Sequence, residues 1–202
     1  AIGLEQGKVY TSLDELRYGS ILLFADADKD GSHIKGLFIN MINTFWPSLI
    51  ELGFISSIVT PVIKITIGKT VLEFTSEKAY QTWKEHNMDQ KITKIKYYKG
   101  LGTSTPDEAR AYFRKLSDIS VLYEKDETAE EKINLAFNNK KADERKTWLT
   151  HMNPQDIDYS SISTIPISSF IDNELIEFSM ADCERSIPRI DGLKPCQRKI
   201  LW

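Results

Sequence analysis

A chain of 202 residues, 41 % hydrophobic and 27 % charged, suits one globular domain and part of another, with room for a sizeable core. A net charge of −3 excludes a wholly basic, nucleic-acid-coating composition, so any such role rests on local clusters of Lys and Arg. No apolar run approaches the roughly 20 residues of a membrane span and no signal peptide is visible; Cys183 and Cys196 lack metal-ligand spacing and read as reduced thiols.

In chain order, Ser12 and Glu15 are spaced as a capping box for a one-turn helix within the lead-in of residues 1–19. Residues 21–25 form a short apolar run bounded by turn residues, a buried strand. Ser32 opens a helix on which Ile34, Leu37, Phe38, Met41, Ile42 and Phe45 make one apolar face. Pro47 kinks or restarts it and Gly53 ends it. Residues 62–67 and 71–74 read as strands around a Gly68-Lys69 turn, Ser76 caps a helix through Trp83, and residues 92–98 alternate as a strand with a basic outer face. Thr105, Pro106 and Glu108 supply the N-cap, first helical position and capping box of a helix to Leu116.

Strands alternating with helices predict an α/β fold with a mainly parallel sheet. Past Val121 the character changes. An acidic stretch over 124–131 reads as solvated, helices follow near 130–137 and 142–149, and residues 151–165 read as a polar linker. A second module opens at Ile167 with a helix to Ala181. The absence of an initiating Met and the unterminated amphipathic pattern over 197–202 lead us to expect a piece of a longer protein.

The chemistry centres on Asp26, Asp28 and Asp30, alternating at the C-terminal end of the first strand, where open α/β sheets place their ligands. Such carboxylates repel by about 1 kcal/mol or more per close pair at effective dielectrics of ~20 to 80. A hard divalent cation offsets that repulsion. An EF-hand loop would need Glu at its twelfth position, where Leu37 stands. An aspartyl-nucleophile phosphatase would place Thr or Val where Lys29 and Asp30 follow. A metal site for phosphodiester chemistry and a solvated acidic turn are the remaining readings.

Ser32 and the amides after it stand at a helix N-terminus, a place for an anion. His33 reads as structural at least as readily as catalytic. The Lys99-Gly100-Leu101-Gly102 turn lets a backbone approach closely or cradle phosphate, although any strand-to-helix turn uses glycine. Two basic clusters stand apart: Lys140, Lys141, Arg145 and Lys146, then Arg185, Arg189, Lys194, Arg198 and Lys199. Each alone fits a solvated helix face; beside a cation-binding turn they favour a phosphate polymer as substrate.

Residues 26–36 (DADKDGSHIKG), 96–104 (KYYKGLGTS), 140–149 (KKADERKTWL) and 191–195 (DGLKP) with Gln197-Arg198-Lys199 together resemble, in this order, the eukaryotic-type (type IIA) DNA topoisomerase II family. The resemblance implies a Toprim-like, Rossmannoid, mainly parallel sheet flanked by helices over 1–125. It implies a helical connector and linker over 126–165 and the first helices of a winged-helix domain over 166–202. It implies Mg²⁺ on Asp26 and Asp28, with Asp26 shared between two metal positions, Asp30 in support and an upstream Glu completing the site. Lys99, Arg145, Lys146, Lys194, Arg198 and Lys199 fall in the implied DNA-binding set. The implied activity is ATP-dependent double-strand cleavage, strand passage and religation by a homodimer acting on double-stranded DNA. ATP and the nucleophilic Tyr then belong to other parts of the protein, so this piece alone is expected neither to cleave nor to relax DNA.

Three departures mark the match. The Ile187–Asp191 stretch is one residue short, Cys196 stands where the family has Gly, and the linker is brief. They point to a divergent member, nuclear if cellular, or in the host cytoplasm or a viral replication site if virus-encoded.

Overall fold

The computed structural model describes residues 2–202, with Leu101 described by its backbone alone; Ala1, the first residue of the lead-in, lies outside the described residues. A one-turn 3-10 helix, Leu13–Glu15, carries the expected capping box from Ser12. Strand β1 (Ile21–Leu23) feeds helix α1 (Lys29–Phe45) and, past Trp46, α2 (Pro47–Glu51). Strands β2 (Ile55–Ile58), β3 (Ile63–Ile67) and β4 (Thr70–Phe74) follow, then α3 (Glu77–His86), β5 (Lys94–Tyr97), α4 (Pro106–Arg114) and the short α5 (Leu116–Ile119). Next come β6 (Ser120–Glu124), α6 (Ala129–Phe137), α7 (Ala142–His151) and β7 (Thr164–Pro166). Helix α8 (Ile167–Phe170), a π turn (Ile171–Leu175), α9 (Ile176–Ser186) and α10 (Pro195–Leu201) complete the chain.

The fold is α/β with two sheets. The first has the order β1-β2-β6-β7: β1 and β2 are parallel with Ile21 opposite Ile55, β6 and β7 are parallel with Tyr123 opposite Ile165, and β2 meets β6 antiparallel. The expectation of a mainly parallel sheet holds for two of these three pairings. The second sheet, β4-β3-β5, is wholly antiparallel; between β3 and β4 a two-residue turn with Gly68 at φ +60° allows only a hairpin. Three strands went unread in the sequence. β2 carries Ser56 and Ser57 in its centre, β6 follows directly on α5, and β7 lies inside the stretch read as linker and ends in Pro166, which an edge strand tolerates.

The main core lies between the first sheet and α1, α2, α6 and the α8–α9 helix. Ile39, Ile42, Leu49, Phe54, Ile167, Phe170 and Ile176 are each almost fully buried there. Removing each such side chain from water contributes about 1.5–3 kcal/mol. Tyr123 meets Phe170 edge-to-face with centroids 5.2 Å apart, and its hydroxyl bonds Ser57 at 3.1 Å. A second cluster of Ile63, Ile65 and Tyr80, covered by Phe74 and Trp83, joins α3 to the hairpin sheet.

Helix α1 differs from expectation in start and face. It begins at Lys29 with Asp28 as N-cap, three residues before Ser32, because the Asp28 carboxylate accepts the Gly31 N–H at 2.7 Å. Its buried face runs Gly31, Ser32, Lys35, Gly36, Ile39 and Ile42, whereas Ile34, Leu37, Met41 and Phe45 are exposed. The small residues decide this. At Gly36 an added Cβ would meet Leu175 Cδ1 at 2.9 Å and Phe137 Cζ at 3.2 Å, so the π turn and α6 close on that side.

The π turn sends three consecutive polar side chains to three helices and a loop, a use of π geometry common near functional sites. Asp172 accepts from Trp148 Nε1 at 2.9 Å and pairs with Lys132 at 2.6 Å; Asn173 Oδ1 accepts from Gln155 N–H at 2.8 Å; Glu174 reaches α1. Among the described residues no helix is long and apolar enough to cross a membrane.

Candidate metal centre

Strand β1 delivers Asp26 to a turn that packs without slack. A Cβ on Gly31 would lie 2.0 Å from the Asp26 carbonyl oxygen, so only glycine fits where α1 folds back over the loop. From the other side comes the Lys99–Gly102 turn. A Cβ on Gly100 would lie 2.7 Å from Asp26 Cγ and 2.8 Å from either carboxylate oxygen. Two motifs more than 70 residues apart in sequence thus meet at one carboxylate. Asp28 stands exposed at the α1 N-cap with Oδ1 engaged by Gly31. The positive end of the α1 dipole favours the charge of both Asp28 and Asp30.

Asp30 has a partner that sequence reasoning missed. Arg185 of α9 donates to Asp30 Oδ1 at 2.6 Å and to Oδ2 at 3.1 Å. The Arg185 guanidinium holds the Asp30 carboxyl below the usual carboxylate range. The same guanidinium bonds Asp182 at 3.1 Å and lies 5.5 Å over the Phe178 ring, on which His33 stacks at 3.9 Å. His33 is therefore packed against α9, and Lys29 pairs with Glu177 at 3.7 Å. Among the described residues, no group of three or more His, Cys, Asp or Glu stands together as a metal cage. Asp26 and Asp28 offer hard oxygens of the kind Mg²⁺ uses in ones or twos beside a phosphate.

The basic residues divide by what they touch. Arg145 donates to the carbonyls of Leu135 and Asn138 and so caps α6. Arg198 forks onto Asp191 at 2.8 and 2.6 Å and locks the loop before α10. Lys194 begins α10, its N–H bonded to Gln197 Oε1 at 2.9 Å. Lys146 is exposed and pairs with Asp143 at 2.8 Å; Lys99 and Lys199 are exposed.

Residues 58–183, more than half of the chain, match the family model described as the C-terminal associated domain of TOPRIM. The chain belongs to the TOPRIM_C family. This TOPRIM_C chain is also similar, along its whole length, to proteins named DNA topoisomerase 2. It is 45 % identical over 221 residues to that of Candida albicans and 44 % identical over 221 residues to DNA topoisomerase 2-beta of Homo sapiens, spanning 14 % and 13 % of those proteins. A crystal structure of the DNA-binding, cleavage and re-ligation domain of Plasmodium falciparum topoisomerase II superposes with a TM-score of 0.88 at 40 % identity, over 100 % of this chain and 28 % of that one.

The TOPRIM_C match begins beyond the acidic turn, which the whole-length relatives and the fold place beside it. Next to Asp28 opens a cleft of about 530 Å³, lined among others by Ala27, Lys35, Thr60, Asp156 and Glu174. Glu174 Oε2 accepts from Ser32 Oγ at 3.1 Å and lies 3.9 Å from Lys35 Nζ, while Oε1 is enclosed without a partner. Burial pushes the Glu174 carboxyl above its ordinary 4.5, with Lys35 and Ser32 opposing. A raised folded pKa means that the folded state holds more protons than the unfolded one above pH 4.5. Stability from this group therefore falls as pH rises through that window. Glu174→Gln is expected to gain on the parent sequence as pH increases, so melting temperatures that diverge in the variant's favour between pH 5 and pH 8 would check it, and parallel curves would refute it.

Proposed function

We propose that this chain is the part of an ATP-dependent type IIA DNA topoisomerase that supplies its Mg²⁺-binding acidic turn and part of its DNA-binding surface. The observation that carries the reading is the meeting of the glycine turn and the acidic turn at Asp26. It is supported by relatives named DNA topoisomerase 2 and by a structural neighbour named for DNA binding, cleavage and re-ligation.

Asp26 and Asp28 would hold the cation. When bound, the ion supplies Lewis-acid stabilisation of phosphate charge and reverses the repulsion between these carboxylates and DNA. The chain's own residues do the rest. Gly100 sets the outlook of the Asp26 carboxylate, and Asp28 closes the first turn of α1 by accepting from Gly31. Arg185 keeps Asp30 against α9, where it supports the turn. Exposed Lys99, Lys146 and Lys199 offer cations to backbone phosphates, a contribution that salt weakens. Arg145 and Arg198, bonded to their own backbone and to Asp191, shape that surface. The nucleophilic Tyr, the Glu that completes the metal site, the ATP site and the second protomer would come from the rest of the protein.

ATP- and Mg²⁺-dependent decatenation by the longer protein tests the proposal. Interlinked circles are expected to separate only with both cofactors present, and separation that needs neither, or none at all, would overturn it.

A further inference from the structure

Helix α4 meets the Asp26 loop at two places. Ahead of its N-terminus the turn over residues 99–104 lays Gly100 on the Asp26 carboxylate. Near its C-terminus Phe113 packs edge-on against Phe24, two residues before Asp26, with centroids 6.0 Å apart and planes at 82°. The helix thus brackets the loop that aims Asp26.

One carboxylate holds both ends of the 99–104 turn. Glu108 accepts from the Thr105 N–H at 2.7 Å, just after the turn, and from the Tyr98 hydroxyl, just before it. It also accepts from Lys96 Nζ at 2.8 and 3.0 Å. Within the turn the Thr103 N–H and hydroxyl bond the Gly100 carbonyl at 3.1 and 2.6 Å. A helix capping box needs only Thr105. The Lys96 and Tyr98 donors come from strand β5 and its end and have no part in capping. Burial opposes ionisation of Glu108, yet the Lys96, Thr105 and Tyr98 donors hold it at about 2, so the clamp stays charged at any working pH.

We infer that Glu108 is a positioning residue for Asp26, acting through the 99–104 turn. The inference rests on the topoisomerase reading of the acidic turn and adds to it a group that acts through the glycine turn rather than as a cation ligand. Releasing either end of the turn frees Gly100 from the Asp26 carboxylate, which then samples orientations that serve a cation poorly. Side chains that orient metal ligands typically change metal affinity 10–100-fold when removed.

The test uses the longer protein with Glu108→Ala and Glu108→Gln, and Mn²⁺ alone as the probe. Mn²⁺ affinity is read by electron paramagnetic resonance, beside the Mg²⁺ concentration that half-saturates DNA cleavage. Glu108→Ala is expected to weaken Mn²⁺ binding and to raise the half-saturating Mg²⁺ about tenfold. Glu108→Gln, which keeps an acceptor for Thr105 but loses the charge facing Lys96, should fall between. A purely structural role would lower the melting temperature and leave both metal readouts where they were, and that result overturns the inference while the proposed function stands. Failure of the unsubstituted protein to bind Mn²⁺ would overturn both.

Discussion

Asp26→Ala in the longer protein is expected to reduce DNA cleavage by about 10³-fold or more, with DNA affinity within about twofold of the original. A bound cation supplies several kcal/mol of transition-state charge stabilisation, and each 1.36 kcal/mol is a factor of ten in rate. Asp26 is the acid whose carboxylate the fold places under Gly100, between the two turns. Asp28 is committed in part to capping α1, and Asp30 to Arg185. On the proposed function, DNA affinity rests on the exposed lysines and should be untouched by the change. Cleavage of a short duplex under single-turnover conditions, beside a salt titration of binding, measures both. A variant that cleaves at close to the original rate would remove Asp26 from the proposed metal site.

Gly31→Ala is expected to loosen the whole acidic turn. On helix propensity alone the change should stabilise α1 by about 0.5–1 kcal/mol, since Gly is a poor helix residue. The contact reverses the sign. The added methyl carbon would sit 2.0 Å from the Asp26 carbonyl oxygen and 3.0 Å from its carbon, and both are backbone atoms that cannot rotate away. Overpacking typically costs about 1–3 kcal/mol, and so close an approach to backbone atoms belongs at the upper end of that range. Amides in the first turns of α1 should then exchange hydrogen roughly 10²-fold faster, by local opening, at 1.36 kcal/mol per decade. Gly36→Ala serves as a graded control, because its nearest neighbours are side-chain carbons of Leu175 and Phe137 at 2.9 and 3.2 Å, which can shift. Gly102→Ala, with nothing within 4 Å, should be neutral. Equal exchange in Gly31→Ala and Gly102→Ala would show that α1 does not pack on the loop as described.

Local signals carried much of the fold. Capping boxes at Ser12 and Thr105, the N-cap at Ser76 and the Gly68-Lys69 hairpin all stand where the sequence put them. Each depends on a few adjacent residues whose hydrogen bonds are satisfied within one turn of chain, so the pattern is complete in the sequence. Strands β2 and β7 escaped for the opposite reason. Their runs are short, interrupted by Ser or closed by Pro, and they become strands only because β1 and β6 offer backbone partners. The alternation of Val121 and Tyr123 in β6 was a readable signal that the acidic residues after it obscured.

For the site the division is the same. By itself the sequence determined the three acids, the glycine turn, the basic clusters and the order in which they occur, and that order pointed to the type IIA topoisomerases. The tertiary structure alone decided that Gly100 rests on Asp26 and that Arg185 takes Asp30. It alone decided that Arg145 is turned inward onto the end of α6 and that Glu108 ties both ends of the glycine turn. Spacing along a chain reports neighbours within a helical turn or a strand pair. Contacts across 70 or 150 residues depend on how helices and sheets close on one another, and at Gly31, Gly36 and Gly100 that closure is set by the missing side chain.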